Sequence, residues 1–248
     1  MVRHFTKDVL PIIKASKQNA AAFTAGDLLF DWKAFTLPKR GAKLVGVTAL
    51  IRSKGDANPT PNNFGLDLVF GRIGTSLGTA NAVGFVSTPQ NDIFGSVNIA
   101  TSNYVKAVST SCLSVATVSG LNISITPDDN TVTKNEEEIY YVAGIANGAF
   151  DFITLNKFAE SGDAEAASTE EITMGGTDMD VRKHFIEGDV LAIGTSVGAP
   201  AADSAIGTLK TAGSATSITL TTTSTSAVVT NDLLYNTSPI RLKLHFEK

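Results

Sequence analysis

Two serines lie in a pattern that is typical of serine hydrolases. The peptides GTSVG and GTSLG place Ser196 and Ser76 at the centre of a G-x-S-x-G motif. That motif works on a strained turn between a strand and a helix, with an acid and a histidine supplied further along the chain. No amphipathic helix follows either serine; only His245 follows Ser196, and nothing in the spacing favours His184 or His245 for Ser76. We therefore expect no catalytic serine. We interpret the two peptides either as equivalent strand exits of one sandwich or as a chance similarity in a composition rich in glycine, serine and threonine.

The remaining polar residues also predict no catalytic, cofactor-binding or metal site. His4, His184 and His245 lack the spacing of zinc ligands. The acidic peptides PDDN (127–130) and TDMD (177–180) do not match a calcium-binding loop. We interpret NEEEIYY (135–141) as the solvated start of a strand, and Cys112 as a small buried residue.

The single tryptophan lies in an apolar stretch, FDWKAF. This setting favours a core or interface position for Trp32 over a role as a sugar-stacking platform. The platform remains the alternative, and in that case Tyr104 and Tyr140 are expected in loops as further platforms for a glycan.

Composition limits the classes of partner. The 248 residues are 43% hydrophobic and 18% charged, with a net charge of −4, so global disorder and an electrostatic nucleic-acid surface are not expected. No apolar run approaches the length of about 18 residues that a membrane helix requires. The first residues, MVRHFTKDVLPIIK, predict no signal peptide. One cysteine allows no internal disulfide, which suits a protein made in a reducing cytoplasm.

Apolar and polar residues alternate in most of the ordered-looking segments, which predicts an all-β protein. The clearest case is PIRLKLHFEK (239–248); LNISIT, LDLVF, KLVGVTALIR and EEIYYVAGI are further strands. Turn residues separate them, and no long amphipathic helix intervenes. Short helical pieces are expected only near 8–17 and 178–185.

These patterns suggest three parts of the chain. We predict an N-terminal arm (1–25) that docks on a neighbouring subunit, and a jelly-roll-like sandwich from 26–187 completed by 239–248. Between them lies a segment, 188–238, that is rich in serine and threonine but keeps an apolar rhythm. Since threonine favours strands, we expect a small inserted β unit there.

Two stretches resemble structural proteins of tailed bacteriophages. IGTLKTAGSATSITLTTTSTSAVVTNDLLY is similar to a phrase that recurs in such proteins, and FTLPKRGAKLVGVTALI resembles the opening strands of phage jelly-roll-like domains. The resemblance covers about half of the chain and implies a capsid decoration or related virion protein. It brings no catalytic residues.

We therefore expect a non-enzymatic structural protein of a phage particle, without cofactor, that decorates or cements the capsid through repeated contacts. Its expected partners are the major capsid protein or other virion proteins and further copies of itself, with no nucleic acid and no membrane. Its expected location is the virion, assembled in the host cytoplasm. The alternative is a tail or baseplate adhesin module that binds host-surface glycans.

Overall fold

A computed structural model gives the fold of the chain. It describes residues 3–18, 22–38, 41–52, 62–82, 91–105, 113–125, 137–150, 160–161, 170–175, 180–183, 185–194, 204–211, 214, 216–224, 227–228 and 233–248.

Strands make up nearly all of the described secondary structure. In chain order they are β1 (His4–Val9), β2 (Leu28–Pro38), β3 (Ala42–Arg52), β4 (Leu66–Gly71), β5 (Ile93–Ile99), β6 (Tyr104–Val105), β7 (Leu113–Ile125), β8 (Glu137–Ala146), β9 (Glu160–Ser161), β10 (Glu171–Gly175), β11 (Val190–Gly194), β12 (Ser204–Thr211), β13 (Ser217–Leu220), β14 (Leu233–Asn236) and β15 (Ile240–Glu247). One short helix, α1 (Ala15–Gln18), and 3-10 turns at Thr101–Asn103 and Val181–Lys183 complete them. The expectation of an all-β fold is confirmed.

A five-stranded and a four-stranded layer form the main body. The first sheet has the order β1-β15-β3-β7, with the short β6 added beside β7, and the second has the order β2-β8-β4-β5. Four antiparallel pairs join β1 to β15, β2 to β8, β3 to β7 and β4 to β5. The first four strands alternate between the layers. The chain then turns back at the pair of β4 and β5, and β7, β8 and β15 return to pair with β3, β2 and β1. That wrapping is a double-sheet jelly roll.

The core of the jelly roll lies between these layers. Along β15, Ile240, Leu242, Leu244 and Phe246 are buried while the residues between them are half-exposed, as the alternation in the sequence predicts. The ring of Phe35, from the opposite layer, lies 6.1 Å from that of Phe246. Apolar side chains from both sheets thus form one continuous cluster.

A second body, which we call the barrel, is inserted between β8 and β15. Its strands close in the order β10-β13-β12-β11-β14-β9 around a separate apolar core. The insertion was expected, but its boundary was wrong: β9, β10 and the buried Phe185 belong to the barrel and not to the sandwich, although they precede residue 188. The serine- and threonine-rich segment supplies four of the six strands of the closed barrel, so the earlier strands β9 and β10 must complete it.

The N-terminal segment contains a strand of the jelly roll. Residues 4–9 pair along their length with β15, and Phe5 stacks on Phe246 with 5.4 Å between the ring centroids. The expectation of an arm over 1–25 was therefore wrong for this part of the segment. Lys7 occupies an inward position, where its Nζ donates to Thr36 Oγ1 of the other layer at 3.3 Å. Because a lysine stands where an apolar residue is expected, the sequence of β1 does not show the alternation of a strand.

The two short helices that the sequence suggested are smaller than expected. Within 8–17, residues 8 and 9 belong to β1, and the single turn of α1 begins only at Ala15 because Pro11 interrupts. Within 178–185, the described helical residues form the one 3-10 turn at Val181–Lys183.

Candidate functional site

Ser76 lies in the loop that follows β4, where it holds the loop to β2. Its hydroxyl donates to Asp31 Oδ2 at 2.5 Å, and Asp31 Oδ1 accepts the backbone N–H groups of Leu77 and Trp32 at 3.0 and 2.8 Å. Both carboxylate oxygens are thus used to fix the loop conformation. The contacts described for Ser76 are those of a loop clamp; Ser196 lies outside the described residues.

The histidines are not brought to Ser76 in the described part of the chain. His245 lies on the outer face of the first sheet, where a hydrogen bond of 2.9 Å joins its Nε2 to Thr48 Oγ1. Asp31 and Ser76 belong to the second sheet and its loop. His4 is exposed on the edge strand β1, and His184 lies outside the described residues.

The described first residues of the two G-x-S-x-G peptides lie in different bodies. Ile73 and Gly74 follow β4 of the jelly roll, whereas Ile193 and Gly194 end β11 of the barrel. The interpretation as two equivalent exits of one sandwich was therefore wrong. The two peptides are similar in sequence but do not begin at equivalent positions in the fold.

Acidic residues that the sequence singled out form pairs with nearby side chains. Asp180 binds Arg182 at 2.8 Å, and Glu138 accepts a 2.6 Å hydrogen bond from the Tyr140 hydroxyl. Among the described residues, no group of three or more His, Cys, Asp or Glu side chains could hold a metal ion, and no helix has the length and apolar character to span a bilayer. Cys112 and the peptide PDDN lie outside this part of the chain.

The aromatic residues are placed differently from what a glycan platform requires. Tyr140 and Tyr104 are buried in the jelly-roll core, not in loops, and burial raises the pKa of Tyr104 well above its ordinary value. Trp32 is half-buried; it packs against Leu28 and Leu77, and its indole N–H donates to the Thr75 carbonyl at 2.8 Å. The expectation of loop tyrosines was wrong. Trp32 packs against a small apolar cluster outside the main core, and its role at an interface or as a platform stays a prediction.

The outer face of the second sheet carries exposed isoleucines. Ile73, Ile93 and Ile139 are 49%, 43% and 51% exposed. Gly71 is the register partner of both Ile93 and Tyr141, and Ile139 lies two residues from Tyr141 on the same face. We call Ile73, Ile93, Ile139 and Tyr141 the isoleucine surface.

Glycines allow this surface to be flat. A Cβ on Gly71 would lie 3.1 Å from the Trp32 ring, and one on Gly74 would lie 2.6 Å from the Tyr141 ring. Any larger residue at these positions would push the aromatic rings or the loop away. The loop therefore lies directly against the sheet, and the isoleucines stand beside it in solvent.

A second surface lies where the jelly roll meets the barrel. Arg52 of β3 binds Asp189 of the barrel at 2.7 Å, and both side chains are largely buried. The pKa of Asp189 is raised because burial disfavours its charge, although Arg52 acts against this rise. Gln18 of α1 crosses the same boundary and donates to the Ile13 and Asn236 carbonyls at 2.7 and 2.8 Å.

Beside this ion pair is an open notch of about 40 Å³. Its apolar walls come from both bodies and are formed by Leu10, Leu50, Leu113, Ile186 and Pro239. Its charged walls are Arg52, Asp189 and Arg241. We call this set the junction notch; its volume exceeds what one water needs.

No protein-family model matches the chain, and no curated protein does. Solved structures to which it was matched include the infectious bursal disease virus VP2 subviral particle, at 9% identity over 99% of this chain and 41% of that one, with a TM-score of 0.18. Others are Sulfolobus Turreted Icosahedral Virus, at 9% identity over 99% and 90% of the two chains (TM-score 0.17), and the native virion of Kashmir bee virus, at 10% identity over 60% and 72% (TM-score 0.12).

All three are proteins of virus particles. The chain spans 41% of the first matched chain. At TM-scores this far below 0.5 the matches carry no argument, and the description of the fold depends on the strand order alone.

Sequence reasoning did not find either surface. Ile139 could have been found, because it alternates with the inward Glu138 and Tyr140 in a strand that was predicted. Ile73 and Ile186 could not, because each lies in a turn whose side-chain direction the alternation does not determine.

Proposed function

We propose that this chain is a non-enzymatic structural protein of a virus particle, and that it decorates the capsid of a tailed phage. The observation that carries the proposal is the isoleucine surface on the outside of a jelly-roll layer. Exposed apolar clusters on a sheet face are costly in water and are typical of surfaces that become covered by another protein. Jelly rolls with two packed sheets are recurrent in viral capsids.

The isoleucine surface suits a repeated contact. Three of its four side chains are branched isoleucines, and Ile93 and Ile139 are carried by strands, so little side-chain entropy is lost when a partner covers them. A decorated particle presents the same partner patch many times, so a modest contact on each copy is sufficient when copies also hold one another. The phage-like phrases in residues 206–235 and 35–51 point to the same class of particle.

The contacts of Ser76 support the non-enzymatic part of the proposal. Its hydroxyl donates to Asp31, whose carboxylate also binds two backbone N–H groups. A nucleophile requires a base that removes this proton and an oxyanion hole that faces a substrate. The contacts of Asp31 fix the conformation of the loop, and they do not provide such a base or oxyanion hole.

Co-sedimentation with phage particles that lack this protein tests the proposal. The wild-type chain should sediment with the particles, and Ile139→Asp should weaken binding by about tenfold or more, because a buried carboxylate replaces an apolar contact. The matched control is Val105→Asp, since Val105 is 68% exposed and lies on β6, outside the isoleucine surface. It should bind as the wild type does.

Three outcomes would contradict the proposal. They are a wild-type chain that does not bind particles, a chain that binds host cells or a glycan array in isolation as an adhesin would, and ester hydrolysis that Ser76→Ala abolishes. Copy number per particle, measured by mass spectrometry, distinguishes hundreds of head sites from the few sites of a neck or tail.

A further inference from the structure

The junction notch carries an exposed turn on its rim. In the turn 186–189, the Asp189 N–H donates to the Ile186 carbonyl at 3.1 Å, and Asp189 Oδ2 accepts the Ile186 N–H at 2.9 Å. Gly188 has a φ of 88°, which favours glycine at this position. The turn is thus held rigidly by Asp189, while Ile186 (42% exposed) and Glu187 point to solvent.

The charges of the notch are not balanced within it. Arg52 and Asp189 neutralise each other at 2.7 Å. Arg241 is the third charged wall, and no ion pair is recorded for it among the described residues. Within the same described ranges none is recorded for Glu187 either. With respect to the described part of the chain, Arg241 is thus a cation without an ion-pair partner in the notch, and Glu187 is an anion without one on the turn beside it.

Exposed apolar side chains cluster at the same place. Leu10 and Ile12 are 37% and 55% exposed, and they lie in the segment that joins β1 to the barrel through the hydrogen bond from the Ile13 N–H to the Thr237 carbonyl. Leu10 and Ile186 line the notch together with Arg241 and form its apolar rim, and Ile12 lies two residues from Leu10. A partner that covers this rim needs a branched apolar side chain next to a carboxylate.

We propose that this partner is a second copy of the chain. The turn of each copy offers that chemistry, Ile186 followed by Glu187, and the notch of each copy offers the complement, an apolar wall with Arg241. In a two-fold contact, Ile186 of one copy enters the notch of the other, Glu187 binds the other copy's Arg241, and the same contact forms a second time. Self-complementarity of this kind is what an isologous dimer interface requires.

The dimer is independent of capsid attachment. The notch lies at the first sheet and the barrel, whereas the isoleucine surface lies on the outer face of the second sheet. The test therefore uses the purified full-length chain alone, without particles. Its failure would remove the contact between copies and would leave the isoleucine surface, which carries the proposed attachment to the capsid, unaffected.

Sedimentation velocity over a concentration series should show a reversible dimer for the wild type. Arg241→Glu places two carboxylates face to face at each contact, and Glu187→Arg places two cations there. Each variant should weaken the dimer by at least about tenfold, because like charges across an interface are strongly disfavoured. Far-UV circular dichroism and the fluorescence of Trp32 should be unchanged.

Mixing the two variants is the decisive measurement. A copy with Arg241→Glu then meets a copy with Glu187→Arg, both contacts regain opposite charges, and a heterodimer of near wild-type affinity should form. Damage to folding cannot produce this recovery. Lys243→Glu is the matched control for Arg241→Glu, since Lys243 lies on the same strand and face but outside the notch, and it should dimerise as the wild type does.

A wild type that stays monomeric through the concentration series would overturn the proposal. So would single variants that dimerise normally, or a mixture of the two variants that stays monomeric.

Discussion

The jelly roll and the barrel bury the apolar faces of their strands in different ways. The jelly roll uses strands of up to 13 residues and packs aromatic rings between two layers. The barrel uses strands of two to eight residues that close on themselves around a smaller core, and serine and threonine are frequent in β12 and β13. Closure removes the free edges that such short strands would expose. The difference suggests two cores that are joined at one polar boundary.

The largest expected effect is the loss of a ring from the jelly-roll core. Phe35 packs against Phe70, Tyr140 and Phe246, so Phe35→Ala should lower the free energy of unfolding by about 3–5 kcal/mol. The single tryptophan belongs to the jelly roll, so its fluorescence reports the unfolding of that body. In a urea titration followed by Trp32 fluorescence, the variant should unfold at a lower midpoint concentration of urea than the wild type.

Leu209→Ala is the matched change in the barrel core, where Leu209 is fully buried. It should cost about 2–5 kcal/mol in the barrel. If the two cores unfold separately, far-UV circular dichroism should record an early transition while the Trp32 transition keeps its midpoint. Coincident shifts of both signals would show that the bodies form one cooperative unit.

The next largest effect is expected at the ion pair that joins the jelly roll to the barrel. Arg52→Met leaves Asp189 as a buried, uncompensated charge and should cost about 3 kcal/mol near neutral pH. The double variant Arg52→Met with Asp189→Leu replaces the pair by apolar groups and should recover most of the loss. Urea unfolding of the three proteins gives the coupling energy, and a double variant no better than Arg52→Met would contradict a buried ion pair.

The pH dependence of this effect has a definite sign. Burial raises the pKa of Asp189 in the folded state, so the folded state binds the proton more tightly than the unfolded one. Its contribution to stability is therefore present below the unfolded pKa and is lost as the pH rises through the folded pKa. Without Arg52 the rise in pKa is larger. The deficit of Arg52→Met should thus be greatest near neutral pH and shrink in acid, and a deficit that grows in acid would contradict this assignment.

A smaller effect is expected at Gln18, which joins α1 to the last residue of β14. Gln18→Ala leaves the Ile13 and Asn236 carbonyls without this donor in a buried setting and should cost about 1–3 kcal/mol. Hydrogen exchange should accelerate at Thr237 and Ile13, at the boundary, more than in either core. Lys17→Ala, one residue earlier and half-exposed, is the control and should leave that exchange unchanged.

The sequence predicted the jelly roll better than the barrel for a physical reason. In β4 and β15, every second residue faces the core, so the alternation of apolar and polar residues identifies both the strand and its buried face. In β1, Lys7 occupies an inward position and breaks that pattern. The barrel strands β9 and β10 are too short to show a period at all, so their membership depends on closure with distant strands.

The alternation of inward and outward residues along a strand explains why the prediction for Tyr140 was wrong. The strand that contains Tyr140 was expected, but the alternation was not followed to its consequence, which is that Tyr140 faces inward and Ile139 outward. The junction notch could not be predicted, because Leu10, Ile186 and Arg241 are far apart in the chain and meet only when the barrel is placed beside the first sheet. No local pattern contains that information.

The smallest effect concerns the loop clamp. Ser76→Ala removes one hydrogen bond to Asp31 and should lower the free energy of unfolding by about 1 kcal/mol, because the Leu77 and Trp32 N–H groups still bind the same carboxylate. Asp31→Ala removes all three bonds and should cost more. Exchange of the Leu77 amide should accelerate modestly in the first variant and strongly in the second. Equal exchange rates in the two variants would mean that Ser76, and not Asp31, orders this loop, and that the jelly-roll copy of the G-x-S-x-G motif holds its own turn.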